Sequence, residues 1–495
     1  MHYIDVIIII VYVAAMIAVG IACRGKQDVV EDYFTARGGL AGKFGSILVG
    51  FSIAATLFSG ISFMAYPSIM YTQGPAVFVL LLGLLGTWPF VTLWFLPRYL
   101  TEENRHPYDI IERRFGLGVR LVAASMFVLL RIGWMAALIF APTLALQAAS
   151  GLEGPFWFWF LVILIGLSST IYTTFGGIRG VIVTDALQFV TIAVGVLLTV
   201  WIAIDKIPVS VTEAFGALRE QGVIRAPSMS FDPTNAYTLW ALTIGAGLAQ
   251  LSSYVGDQMS LQRYMSSGTA KEASRAFMYN IIGAVGVVFL LGAVGMTIRA
   301  YYIFLPDASM PEGADKVFPH FISTQLPPGI AGILLAAILA ATMSSMTSGI
   351  NALAGTLTLD FRMRLWGEIS HRDQLRFGRI CSFVIGVLAT AAAGFVSALG
   401  NIFEMSQALL GVFLGPLLTC IVLAIAKKPL QRPSLIVGLL LSCALGWVVI
   451  FTNLAGQTWI AAIVFVLSMI ITLTGTAIFG PSVDPKNAPA GTPEP

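Results

Sequence analysis

The stretch Ala340–Asn351, AATMSSMTSGIN, places a cluster of hydroxyl side chains inside a long apolar segment. In a helix they would lie within about one and a quarter turns: Ser344, Ser345, Thr347 and Ser348. By the i, i+3, i+4 rule Ser344, Thr347 and Ser348 share one face, and Ser345 points in a neighbouring direction. Hydroxyl oxygens are hard neutral ligands suited to Na⁺. The cluster predicts a cation site; the alternative is that each hydroxyl bonds back to its own helix.

A second unusual stretch lies near the amino terminus. Gly50–Pro67 reads GFSIAATLFSGISFMAYP, so small and hydroxyl residues recur along an apolar segment. Such a composition permits a membrane helix to unwind at its midpoint, where free backbone carbonyls can coordinate a cation. Close packing of helices is the alternative reason for the same residues.

The composition of the whole chain indicates an integral membrane protein. Of its 495 residues, 57% are hydrophobic and only 11% are charged, against about 25% in soluble domains, and the mean hydropathy is +0.86. The net charge of +3 gives no indication of nucleic-acid binding, and the four cysteines do not form a metal-binding or disulfide pattern. The sequence has no nucleophile and base at a spacing that would indicate an active site, so an enzyme is not expected.

Thirteen segments have the length of a membrane span, which is roughly 20 mostly apolar residues. The fold class predicted is therefore all-α and polytopic. The segments lie near 4–22, 44–70, 76–97, 118–149, 156–175, 181–204, 236–261, 273–304, 329–360, 377–398, 402–426, 433–453 and 458–480.

The basic residues predict the orientation of these spans. Most of the 28 lysines and arginines fall in the connections on one side, which the positive-inside rule assigns to the cytoplasm. The first apolar run lacks a basic region before it and is expected to be a retained span rather than a signal peptide. We therefore expect a cell (inner) membrane protein with its amino terminus outside, and a disordered cytoplasmic tail over 481–495.

Ionisable residues inside spans are costly and mark functional or pairing roles. Asp185 lies in the sixth span, where it could ligate a cation or pair with Arg263. Arg131 lies in the middle of the fourth span, where it could hold a substrate carboxylate or neutralise Asp257 or Glu404.

Four pieces of sequence together resemble the solute:sodium symporter family, and the resemblance runs from the first span to the thirteenth. They are Ser59–Pro67 (SGISFMAYP), Tyr172–Gln188 (YTTFGGIRGVIVTDALQ), Gln262–Tyr264 (QRY) and Ala340–Asn351. The resemblance implies a LeuT-type core of two inverted five-helix repeats, about 44–204 and 236–426, with one leading and two trailing helices. All of this forms a single transmembrane domain over 1–480.

The resemblance also implies particular site residues. The family's sodium site would use the backbone carbonyls of Ala55, Phe58 and Ala341 and the hydroxyls of Ser344 and Ser345. A second sodium site, present in some members, would use Asp185, Ser344, Thr347 and Ser348. The substrate would lie beside Ser59, Ser62, Tyr254 and Gln407, together with the third span.

Departures from the family pattern bear on the substrate. The third span is apolar where sugar-transporting members have a carboxylate, and Trp134 stands where sialic-acid members have an arginine. Ile139–Leu146 (IFAPTLAL) and the apolar third span are closer to the monocarboxylate, vitamin and iodide branch than to the sugar branch.

The function expected from these features is sodium-coupled symport of a small organic solute, expected to be a carboxylate held in part by Arg131, through alternating access. One or two Na⁺ ions serve as the coupling ion. The expected partners are the solute, sodium and membrane lipid, without nucleic acid or an obligatory protein partner. The alternatives are a proton-coupled symporter, a sodium-coupled sugar transporter of the same fold, and a solute sensor that does not transport.

Overall fold

The computed structural model describes residues 2–24, 27, 29–36, 38–100, 104, 106–367, 369–394 and 402–482, without the side chains of residues 141 and 402–408. The predicted tail lies outside these residues apart from Pro481 and Ser482. The described helices, in chain order, are α1 (Tyr3–Ala22), α2 (Val30–Phe34), α3 (Gly42–Leu57), α4 (Gly60–Gln73), α5 (Pro75–Tyr99), α6 (Asp109–Phe115), α7 (Leu117–Ser150), α8 (Pro155–Asp205), α9 (Val211–Glu220), α10 (Ala246–Val255), α11 (Gln258–Ser266), α12 (Ala270–Phe304), α13 (Ala314–Gln325), α14 (Ile330–Trp366), α15 (His371–Ala393), α16 (Ile402–Ile425), α17 (Arg432–Phe451) and α18 (Gln457–Phe479).

Within the described ranges, nine of these helices are each long and apolar enough to cross a membrane, and α3 with α4 makes a tenth, bent span. The nine are α1, α5, α7, α8, α12, α14, α15, α17 and α18. Over their described residues, all thirteen predicted segments coincide largely with helices, and the 51-residue α8 takes up two of them. The all-α, polytopic prediction is thus confirmed.

Three breaks shape the bundle. α3 and α4 meet at a 68° bend, where Phe58 leaves the helical region with φ −90° and ψ 89°. α10 and α11 are separated at Gly256 and Asp257, and the Asp257 side chain accepts from the Met259 N–H to begin α11. In α8 the interruption is Gly177, whose φ of +60° is a conformation that favours glycine.

The carbonyls freed by the break in α8 receive hydrogen bonds from the segment after α1. Tyr33 Oη donates to the carbonyls of Thr173 (3.3 Å) and Thr174 (3.0 Å), and Gln27 Nε2 donates to that of Gly176 (3.0 Å). Because buried backbone groups must be satisfied within the protein at membrane depth, these contacts make the break tolerable.

Helix α14 occupies the centre of the bundle, and every residue from Leu334 to Gly355 is buried. It packs closely on α8, since a Cβ added at Gly195 would lie 2.9 Å from the Ala337 Cβ. The carboxylate of Asp5 on α1 accepts from the N–H groups of Gly329 (2.7 Å) and Gly332 (2.9 Å). This contact caps the first turn of α14 with a negative charge, which complements the helix dipole.

Candidate functional site

The bend between α3 and α4 leaves carbonyls at the end of α3 without partners in their own helix, as at any helix terminus. Two α14 hydroxyls reach them. Ser344 Oγ donates to the Ala55 carbonyl at 2.9 Å and to the Ala341 carbonyl at 3.1 Å. Ser345 Oγ donates to the Thr56 carbonyl at 2.9 Å. Hydroxyl and carbonyl oxygens of two helices therefore converge at one buried point.

This oxygen set fits the ion predicted from the sequence. Ala55, Ala341, Ser344 and Ser345 come together as expected, and all are fully buried. The donors are neutral oxygens, which suit Na⁺ better than a divalent ion that requires several carboxylates. The carbonyl of Thr56 was not predicted, although its position next to Ala55 at the end of α3 could have indicated it.

The predicted second cation site contains a buried ion pair. Arg263 Nη2 donates to Asp185 Oδ2 at 2.7 Å, and both side chains are fully buried. Ser52 Oγ donates to the same oxygen at 2.7 Å, and Ser348 Oγ lies 3.5 Å from it. Asp185 Oδ1 has no hydrogen-bond partner among the described residues. The pairing alternative is therefore present, and one carboxylate oxygen is left over.

The remaining predicted ligands of that site bond partly to their own helix. Thr347 Oγ1 and Ser348 Oγ both donate to the Ser344 carbonyl, at 3.1 and 2.7 Å. Ser348 also lies within hydrogen-bond distance of Thr56 Oγ1, at 3.0 Å, and accepts from Arg263. Ser348 thus connects the first oxygen set to the Arg263–Asp185 pair.

A cavity of about 240 Å³ adjoins the bend. Its wall includes Thr56, Phe58, Ser59 and Ser62 at the α3–α4 junction and extends to residues 236–237 and 457–458 in the connections at one face of the bundle. The predicted substrate residues Ser59 and Ser62 therefore lie in the wall, next to the carbonyls that Ser344 and Ser345 contact.

Arg131 also lies in this wall, fully buried. Its Nη2 donates to Asp257, and the guanidinium carbon lies 4.6 Å from the centre of the Trp134 ring. Nε and Nη1 have no hydrogen-bond partner among the described residues. The pairing predicted as one alternative is present, yet two nitrogens of this wall residue have no hydrogen-bond partner among the described residues.

Two other predicted substrate residues, Tyr254 and Gln407, are not found in the described wall of the cavity. Tyr254 lies behind the wall, fully buried, with its ring packed edge-on against Phe277 at 4.7 Å. Its place is taken by Gln250 and Ser253, one turn and one residue earlier, which line the cavity. The side chain of Gln407 lies outside the described part of the protein.

A largely buried charge cluster lies at the opposite end of the bundle. Arg120 Nη1 donates to Asp109 Oδ1 at 2.7 Å and Arg120 also bonds Glu112, while its Nε donates to Asp360 Oδ1 at 2.8 Å. Gln258 Nε2 donates to the second oxygen of Asp360 at 3.0 Å. The cluster joins α6, α7, α11 and a π-helical turn of α14, and the sequence alone did not indicate it.

Comparison with known proteins identifies the family. Residues 33–442 match the family model described as the Sodium:solute symporter family. The chain is 29% identical to the sodium/sialic acid symporter NanT of Aliivibrio fischeri over 88% of this chain and 85% of that one. It is 28% identical to the sodium-dependent multivitamin transporter of Oryctolagus cuniculus over 88% and 68%. Relatives thus come from both the sialic-acid group and the branch expected from the sequence.

Comparison with solved structures supports the same family. A solved Na⁺-coupled sialic acid symporter, in a substrate-bound outward-open state, superposes with a TM-score of 0.88 at 26% identity, covering 97% of this chain and 99% of that one. The protein MhsT, solved in complex with L-phenylalanine, shares the fold alone, with a TM-score of 0.51 at 16% identity over 88% of this chain and 99% of that one. The chain belongs to the sodium:solute symporter family and is a multi-pass, sodium-coupled membrane symporter with a LeuT-type fold.

Proposed function

We propose that this symporter couples sodium entry to uptake of a small organic anion by alternating access, with the amino terminus outside. Sodium would be held by the carbonyls of Ala55, Phe58 and Ala341 with Ser344 and Ser345. The anion would occupy the adjoining cavity beside Ser59 and Ser62.

One observation supports the anion above all. Arg131 is a fully buried cation in the cavity wall that pairs with Asp257 through Nη2 alone, and its Nε and Nη1 lack partners among the described residues. Buried donors of a charged group left unsatisfied are costly, so a ligand that accepts from them gains a charge-assisted hydrogen bond. A carboxylate matches a guanidinium in charge and accepts such a bond through one of its oxygens. The sialic acid symporters among the relatives transport a carboxylate-bearing solute by their names, which agrees with this choice.

The position of the cavity supports coupling. Thr56 and Phe58 line the cavity, and the Thr56 carbonyl accepts from Ser345. An ion that fixes the α3–α4 bend would therefore fix one wall of the substrate cavity. Binding of either ligand then favours binding of the other, because the first ligand already provides the free energy that is needed to order the α3–α4 bend.

The test is uptake into proteoliposomes with an inward sodium gradient, across monocarboxylates, sialic acid, neutral sugars, amino acids and vitamins. We expect uptake of at least one anion, abolished when potassium replaces sodium. Arg131→Gln should raise the half-saturating anion concentration roughly tenfold to hundredfold, because a charge-assisted bond is worth about 1.5–3 kcal/mol. The sodium dependence should stay unchanged.

Two controls separate recognition from folding. Arg98→Gln removes another arginine stacked on a tryptophan, Trp94 at 5.7 Å, outside the cavity wall, and should leave the anion affinity unchanged. The double variant Arg131→Gln/Asp257→Asn restores charge balance and should fold, yet it should not regain anion affinity. Uptake of a neutral sugar and of no anion by the unaltered protein would refute the proposal.

A further inference from the structure

The cavity wall carries a neutral ion pair rather than a lone positive charge. Arg131 on α7 and Asp257 at the α10–α11 break both line the cavity, at 0% and 1% exposure. Their charges cancel. A ligand in the cavity therefore meets a donor and an acceptor side by side, and the recognition chemistry depends on both.

Each member of the pair keeps capacity for a further bond. Asp257 Oδ1 accepts from the Met259 N–H at 2.9 Å, and Oδ2 accepts from Arg131. A carboxylate oxygen has two lone pairs, so each can accept once more. On the other side of the pair, Nε and Nη1 of Arg131 lack partners among the described residues.

This arrangement disfavours a plain carboxylate. A carboxylate oxygen that accepted from Nε or Nη1 of Arg131 would share a single guanidinium with Asp257, so that two anions would lie on one cation. Like charges at such a short distance repel when water is excluded. A hydrogen-bond donor on the carbon next to the ligand carboxylate relieves the repulsion, because it can bond to Asp257 while the carboxylate bonds to Arg131.

We propose that Asp257 is a specificity-determining substrate contact that selects carboxylates bearing a hydroxyl or ammonium group on the α-carbon. The inference rests on the proposed transport of an organic anion and narrows its class. A site that bonds a substrate donor discriminates strongly against the analogue that lacks it, since its buried acceptor then goes unpaired.

The test compares matched ligands by competition against uptake of the best anion found, at saturating sodium. L-lactate and L-alanine are each compared with propionate, and mandelate is compared with phenylacetate, so that size and charge on the carboxylate are held constant. The donor-bearing member of each pair should bind at least tenfold more tightly. Tighter binding of L-alanine than of L-lactate would assign the ammonium form, and the reverse order would assign the hydroxyl form.

The variant Asp257→Asn keeps an oxygen for the Met259 N–H but removes the charge, so it should lower the ratio of each pair toward one. Asp232→Asn, at an exposed loop carboxylate, is the matched control and should leave every ratio unchanged. The ligand pairs are also compared in the unaltered protein, so the test does not depend on whether Asp257→Asn folds. Equal binding within all pairs would overturn the role of Asp257 and leave anion transport standing. Failure of every carboxylate, with uptake of a neutral solute, would overturn both proposals.

Discussion

Removal of the Ser344 hydroxyl is the most direct test of the proposed sodium site. In the structure this group makes two contacts, to the carbonyls of Ala55 at 2.9 Å and Ala341 at 3.1 Å. Ser344→Ala deletes one ion ligand and leaves those two carbonyls without their hydroxyl donor. One such interaction is worth about 1–3 kcal/mol, so the half-saturating sodium concentration should rise roughly 5- to 150-fold.

The assay is initial uptake into proteoliposomes across a series of sodium concentrations, with the substrate saturating. Ser442→Ala is the matched control: it removes a fully buried serine of α17 that donates within its own helix, to the Leu439 carbonyl at 3.0 Å. Ser345→Ala should also raise the half-saturating sodium concentration. The loss of sodium-binding free energy in the double variant should differ from the sum of the two single losses, because the two residues share one ion. An unchanged sodium dependence in both single variants, with normal folding, would refute the site.

The remaining predictions concern charge pairs and one backbone position. If Asp185 belongs to a second cation site, Asp185→Asn should lower the Hill coefficient for sodium from near two toward one; if it serves only as the partner of Arg263, transport should slow at a constant coefficient and Arg263→Ala should have the same effect. Asp360→Asn removes a charge from the cluster around Arg120, which should lower the stability of this end of the bundle by several kcal/mol and raise labelling of cysteines introduced near it; unchanged labelling would contradict a role of the cluster in holding these helices together. Gly177→Ala should lower the melting temperature, since φ is +60° and the added Cβ would lie 2.9 Å from a Tyr33 ring carbon; equal melting temperatures would contradict it.

The spans were predictable from sequence because membrane helices need about 20 apolar residues, a local property. The hydroxyl cluster that includes Ser344 and Ser345 was predictable because it too is a local property: helical spacing brings residues that are close in sequence close together on the helix. The family resemblance then supplied Ala55 and Ala341. These predictions used information within one helix or one motif.

What the sequence could not decide is which distant charges meet. For Asp185 the possible partners were a cation and Arg263. For Arg131 they were a substrate, Asp257 and Glu404. Only the packing of helices far apart in the chain places Arg263 next to Asp185 and Asp257 next to Arg131. The cluster around Asp360 was missed because it joins residues from distant parts of the chain, and Asp360 itself lies on a π-helical turn, Thr356–Arg362. Such a turn has no clear pattern in the sequence.

The bonds that Ser344 and Ser345 make to the end of α3 have a consequence for the empty carrier. A sodium ion at this place would enter by exchange, since it must displace the hydroxyl protons that already bond the Ala55 and Thr56 carbonyls. When the ion leaves, the same protons return to the same carbonyls, so these two backbone groups are not left unsatisfied in the bilayer interior. If sodium binds here as proposed, the unloaded protein does not carry the cost of two unsatisfied carbonyls, which favours the return half of the proposed transport cycle without cargo.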